Sequence, residues 1–152
     1  MYFGEVIVRA DTGIRSLDDL RGGVWAYNDR NSRSGWLSML ERAGASFFSR
    51  CVHSGSHLRS IELVRSGGAD AASIDSNVLL RENARDLRVI ESWGPFAIQA
   101  TIVRAGLDAG SKSRVAKALL TLHERRSLER FGFARFVGPD ESLYVEFGKI
   151  LE

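Results

Sequence analysis

Cysteine is nearly absent: Cys51 stands alone among 152 residues, so no internal disulfide can staple this fold. No apolar run reaches 18 residues, which excludes a membrane-spanning helix of ordinary length. The start carries no basic, apolar, small-residue leader, so no signal peptide is expected in this chain; an exported and processed fragment would look the same. Charge of one sign is missing as well. Twenty-one Lys and Arg face 19 Asp and Glu, a net charge of +2, and the cations are scattered without interleaved aromatics. That disfavours nucleic acid as a partner. His53 and His123 have no companions at metal-ligand spacing, so neither a metal nor any other cofactor is expected. Internal repeats and low-complexity segments are lacking too.

What is present is alternation. Apolar runs over Glu5–Arg9, Val24–Tyr27, Phe47–Val52, Asp70–Ile74, Leu87–Glu91 and Ala97–Arg104 read as strands. Between them, Ser16–Asp19, Ser34–Ala43, His57–Arg65 and Ser76–Arg85 read as helices, closed by Gly22-Gly23, Gly44 and Gly67-Gly68. The last third turns helical, first around Val115, Leu119 and Leu122. A second helix follows around Leu143, Phe147, Ile150 and Leu151, capped by Asp140. With 44% hydrophobic residues the chain can bury a sizeable core. This order predicts an α/β fold with a largely parallel sheet.

In such sheets ligands sit beyond the carboxyl ends of the strands, beside helix starts. Three polar turns fall there: Asn31-Ser-Arg-Ser-Gly35, Ser54-Gly-Ser-His57 and Asp75-Ser-Asn77. The first opens directly into a helix. Free backbone N–H groups and the positive end of the helix dipole make such a start receptive to an oxyanion. Ser32 and Ser34 add hydroxyl donors and Arg33 a charge. The plain alternative is that Ser32, Ser34 and Asp75 are ordinary helix caps that serve only their own helices.

The ordered set continues through the chain. Asp11-Thr-Gly-Ile14 precedes Ser16-Leu-Asp-Asp-Leu-Arg-Gly22. Then come Ser32-Arg-Ser-Gly35, Gly55-Ser-His57, Gly68-Ala-Asp-Ala-Ala72 with Asp75, and Glu91-Ser-Trp-Gly-Pro95. Over roughly residues 4–125 this resembles the phosphate, phosphite and phosphonate substrate-binding proteins of ABC importers, a family of the type II periplasmic binding protein class. The resemblance implies two lobes that close on an oxyanion. The captured ligand is then presented to the membrane subunits of a transporter, in the periplasm or another extracytoplasmic space. The family's serine-rich helix start falls on Ser32, Arg33, Ser34 and Gly35, its glycine–serine–histidine turn on Gly55, Ser56 and His57, and its acidic residue on Asp75. Arg33 departs from the small hydroxyl residue common there; it either adds a cation to the site or fills it. Tyr27 and Trp93 are candidates to wall the cleft, though such residues more often serve core or hinge packing.

The chain is much shorter than members of that family. The resemblance therefore implies one complete α/β lobe, residues 15–96, with residues 1–14 and 97–152 as hinge strands and part of the other lobe. Incomplete first-lobe edges imply a homodimer as one way of covering exposed surface. Two other classes remain open. The same fold serves as the ligand-sensing domain of regulators and sensor kinases. An enzyme would need a nucleophile and a base in the cleft, and Cys51 with His53 is the nearest pair.

Overall fold

Val24-Trp-Ala-Tyr27 is short and apolar throughout, the pattern of a strand buried on both faces. In the computed structural model, which describes residues 1–98, 100–140, 142 and 144, it is strand β2 (Val24–Tyr27) of a five-stranded sheet. The sheet order is β3 (Arg50–His53), β2, β4 (Ala71–Asp75), β1 (Tyr2–Arg9) and β5 (Leu87–Phe96). β2 pairs parallel with both β3 and β4, whereas β1 pairs antiparallel with both β4 and β5. The sheet is thus mixed, not largely parallel: the strand expected first in the chain lies inside the sheet and runs against its neighbours. Alternation along it sorts two cores. Val6, Val8, Trp25, Tyr27 and Ala71 fall in one cluster with Trp36, Met39 and Trp93. Ile7, Ala26, Ala72 and Ile74 fall in the other with Ile61 and Val64.

The helices start where the sequence supplies caps. Ser32 Oγ accepts from Gly35 N, and the chain turns through a wide π-type turn, Arg33–Leu37, into α1 (Ser38–Arg42). Both Trp36 N and Leu37 N donate to the Ser32 carbonyl, which widens that turn. Ser56 caps α2 (His57–Ser66) through Arg59 N, and Gly67, at φ 75°, ends it in the left-handed conformation. Asp75 caps the short α3 (Ser76–Leu79) through Asn77 N. Asp19 Oδ2 accepts from Arg15 N, Ser16 N and Ser16 Oγ, the reach-back expected of a capping box, although the segment it starts, Asp18–Leu20, is only a 3-10 turn.

Several boundaries move for physical reasons. The third strand starts at Arg50, not Phe47: Phe47 and Phe48 are drawn into the core, and Ala45–Phe47 forms a 3-10 turn after Gly44. α3 stops at Leu79 instead of running to Arg85, because beyond it Leu80 is 81% exposed and the following residues are polar. β5 extends through Trp93 to Phe96, paired with β1 along its length. No strand forms over the described part of residues 97–104, where no neighbour completes a ladder.

Two compact units divide the chain, Met1–Phe96 and Ala97–Glu152. The first holds the whole sheet. The second contains α4 (Ala109–Leu120), started by Asp108, whose carboxylate accepts from Ser111 N. The expected final helix around Leu143, Phe147, Ile150 and Leu151 lies outside the described residues. Its expected cap, Asp140, accepts from Ser142 N and Oγ. No described helix is long and apolar enough to cross a membrane.

Candidate functional site

β2, β3 and β4 point their carboxyl ends the same way, and the three polar turns leave from those ends. The structure brings two of them into direct contact. His57 Nε2, at the start of α2, lies 3.4 Å from Ser34 Oγ and 3.4 Å from Asn28 Nδ2. Asp75 stands nearby, close enough to favour the protonated imidazole, but burial of the ring dominates and pulls the His57 pKa below its usual value. Ser34 is 2% exposed and Asp75 is 9% exposed, with Asn28 and His57 half-buried beside them.

Glycines let the backbones close up around it. A Cβ at Gly35 would stand 1.9 Å from Asn28 Oδ1, so only glycine allows the helix start to lie against that amide. A Cβ at Gly4 on β1 would meet Ser73 Oγ at 2.8 Å and the Ser34 carbonyl at 3.1 Å. The turn therefore sits directly on the sheet. Three buried polar atoms there have no hydrogen-bond partner among the described residues: Asn28 Oδ1, His57 Nδ1 and Ser73 Oγ. Buried polar atoms are nearly always paired, so their concentration around one helix start indicates a built polar site.

Tyr2 adds a phenol that sequence reading did not anticipate. Burial, with Asp75, raises its pKa, while Arg33 and a hydrogen bond from the Ser34 side act in the other direction. Its hydroxyl therefore belongs to the same cluster. Tyr2, Asn28 and Ser73 carried no motif of their own. Position gave a signal for two of them, Tyr2 at the start of β1 and Asn28 just after β2, whereas Ser73 lies in the middle of β4.

The remaining sequence candidates are distributed as follows. Ser32 spends its hydroxyl on capping Gly35 N at 3.1 Å. The Arg33 guanidinium is ion-paired with Glu41, and its carbon lies 4.9 Å from the centre of the Phe96 ring. Its side chain is 16% exposed, tied to protein partners on two sides. Tyr27 is buried in the core, its ring tilted against Trp36 and His53. Trp93 is fully buried, stacked on Trp25, and its indole N–H donates to Glu91 at 2.6 Å. Gly55 and Ser56 shape the second turn, at φ 84° and as the α2 cap.

Other chemistry finds little support. Burial raises the Cys51 pKa, which favours the unreactive thiol. His53 lies two residues along the same strand, but its ring packs on Tyr27. No group of three or more potential metal ligands gathers among the described residues. A shallow groove between β3 and α2, lined by His53, Ser54, Arg59 and Glu62, excludes the Ser34–His57 cluster.

Over residues 1–144 the sequence matches the family described as ABC transporter, phosphonate, periplasmic substrate-binding protein. The chain belongs to that family. The phosphonate-binding family is a transport family and not a class of enzymes. Among curated proteins no match to the sequence was found. Solved structures agree on the fold. PhnD1 from Prochlorococcus marinus, in complex with methylphosphonate, is similar with a TM-score of 0.85 at 21% identity, over 98% of this chain and 65% of that one. XAC2383 from Xanthomonas citri, bound to ATP, gives 0.75 at 22% identity, over 98% and 64%. A binding-protein component of an ABC phosphonate transporter from Pseudomonas aeruginosa gives 0.76 at 18%, over 99% and 56%. This phosphonate-family chain thus spans about two thirds or less of each of these proteins. The expected type II binding-protein architecture, with one lobe complete and another partial, accords with that coverage.

Proposed function

We propose that this protein is a solute-binding component of an ABC importer and that it holds a phosphonate- or phosphate-like oxyanion at the Ser32–Gly35 helix start. The observation that carries the reading is the cluster of buried Ser34 and Ser73 with half-buried Asn28 and His57, in which three buried polar atoms are left without partners. Backbone N–H groups of the turn, the Ser34 hydroxyl and the Tyr2 phenol supply donors to the anion oxygens. His57 lends a further donor when an anion raises its proton affinity. Asp75 accepts from a hydroxyl or an amine carried by the ligand. Arg33 acts from a distance, since Glu41 already compensates its charge, and Tyr27 supports the turn from the core side.

The reading also assigns residues 15–96, with β1 in their sheet, to one lobe and residues 97–152 to part of the other. Closure of two lobes would dehydrate the anion, and the closed form is what a membrane subunit would recognise. No catalytic step is assigned, in keeping with a protonated Cys51 thiol.

Isothermal titration with methylphosphonate, inorganic phosphate, phosphite and sulfate tests the proposal. Binding of at least one phosphorus oxyanion, weakened by Ser34→Ala, is expected. A folded sample that binds none of them would overturn it.

A further inference from the structure

Asn28 is in contact with both polar turns. It follows β2 directly, and its amide lies between the Gly35 backbone and the His57 ring. Nδ2 faces His57 Nε2 at 3.4 Å, while Oδ1 is buried against Gly35. The fit to Gly35 is close enough that one added methyl carbon would collide with it. The close fit to Gly35 fixes where the amide lies and leaves open which of its two ends faces His57.

We infer that Asn28 is a positioning residue of this site, fixing which nitrogen of His57 faces the helix start and in which protonation state. The inference deepens the oxyanion reading above and rests on it. The logic is one of donors and acceptors. A neutral imidazole has one N–H and one lone pair. His57 Nε2 is surrounded by an amide N–H and the Ser34 hydroxyl, both able to donate. The Ser73 backbone lies near enough to the ring to favour a proton on it, although Nδ1 makes no hydrogen bond of normal geometry in the empty site. With Nε2 occupied by Asn28 and Ser34, that proton belongs on Nδ1. The empty site thus holds a neutral His57 whose lone pair points at Ser34. The charged group facing the ring is Asp75 on β4, and Tyr2 on β1 and Arg33 at the helix start complete the titratable and charged groups around Ser34.

An anion arriving at the helix start reverses the demand at Nε2. Its oxygens need donors, so the imidazole takes a proton from solvent at Nε2 and donates it to the ligand. The Asn28 amide then turns its oxygen toward the ring, which removes a donor that would compete with the ligand at Nε2. Binding is accompanied by proton uptake, and Asn28 can serve both states because an amide offers a donor on one side and an acceptor on the other.

The test is nitrogen-15 NMR of the His57 ring in the full chain without ligand, across pH, for the wild type, Asn28→Asp and Asn28→Ala. The wild type should show the Nδ1–H tautomer and titrate below the usual histidine range. Asn28→Asp keeps the shape and removes the donor, so it should move the proton to Nε2 and raise the pKa by about one unit or more. Asn28→Ala should lose the tautomer preference and, in titrations with inorganic phosphate, bind about tenfold more weakly or worse at an unchanged melting temperature. An Nε2–H tautomer in the wild type, or an Asn28→Asp ring indistinguishable from wild type, overturns the inference. Because the NMR needs no ligand, normal ring behaviour in a protein that binds neither phosphate nor methylphosphonate would support the role of Asn28 and reject the oxyanion reading alone.

Discussion

Gly35 shows how much one residue decides. Its missing side chain lets the helix start rest on Asn28, and a Cβ would come within 1.9 Å of the amide oxygen. Gly35→Ala should therefore destabilise the protein by about 1–3 kcal/mol, in the range of other overpacked sites, and blunt anion binding beyond that. Thermal unfolding and phosphate titration on the same sample separate the two effects. His57 makes a pH prediction. Its folded-state pKa is lowered, chiefly by burial, so the unfolded chain binds the proton more readily. The stability that a neutral His57 contributes is complete above the unfolded value, about 6.5. It is lost as pH falls through that value toward the lower folded one. His57→Gln should flatten this part of the stability profile in chemical denaturation from pH 7.5 to 5.

At the scale of elements, the caps were legible and the sheet's directions were not. Ser32 and Asp75, read as possible caps, accept the backbone bonds of caps, as do Ser56 and Asp108, which sequence reading had not singled out as caps; Ser34 faces His57 instead. Caps are local, with donor and acceptor two or three residues apart, so sequence spacing reveals them. The antiparallel insertion of β1 between β4 and β5 is a long-range choice that no local pattern encodes. The strand expected over residues 97–104 failed similarly: its apolar residues suit a strand, but a ladder needs a neighbour. The site was half legible. Ser34, His57 and Asp75 sit in recognisable turns. Tyr2, Asn28 and Ser73 join them only through tertiary contact. For α2 the prediction is simple. Gly67 holds φ 75° at its end, so Gly67→Ala should cost about 1 kcal/mol, read as a lower denaturation midpoint at unchanged slope.

At the scale of the whole molecule, the proposed ligand would account for the partnerless polar atoms at the helix start. Partnerless buried atoms destabilise an empty site, and a ligand that satisfies them recovers that free energy as affinity. The second unit carries a different signature. α4 buries none of its residues, and Val115, Leu120, Phe131 and Val137 are all at least 40% exposed. The homodimer expected from sequence predicts that sedimentation returns a mass above the 16.8 kDa of one chain. A concentration-independent monomer would remove that expectation.

The central claim is that the Ser34–His57 cluster at the helix start holds a phosphorus oxyanion. Its most direct test is a calorimetric titration of methylphosphonate into the wild type and Ser34→Ala, run side by side at pH 7. We predict saturable one-site binding to the wild type and affinity about tenfold or more weaker in Ser34→Ala, the loss of one hydrogen bond to a charged ligand. Equal affinity in the two proteins, with both folded, would contradict the account.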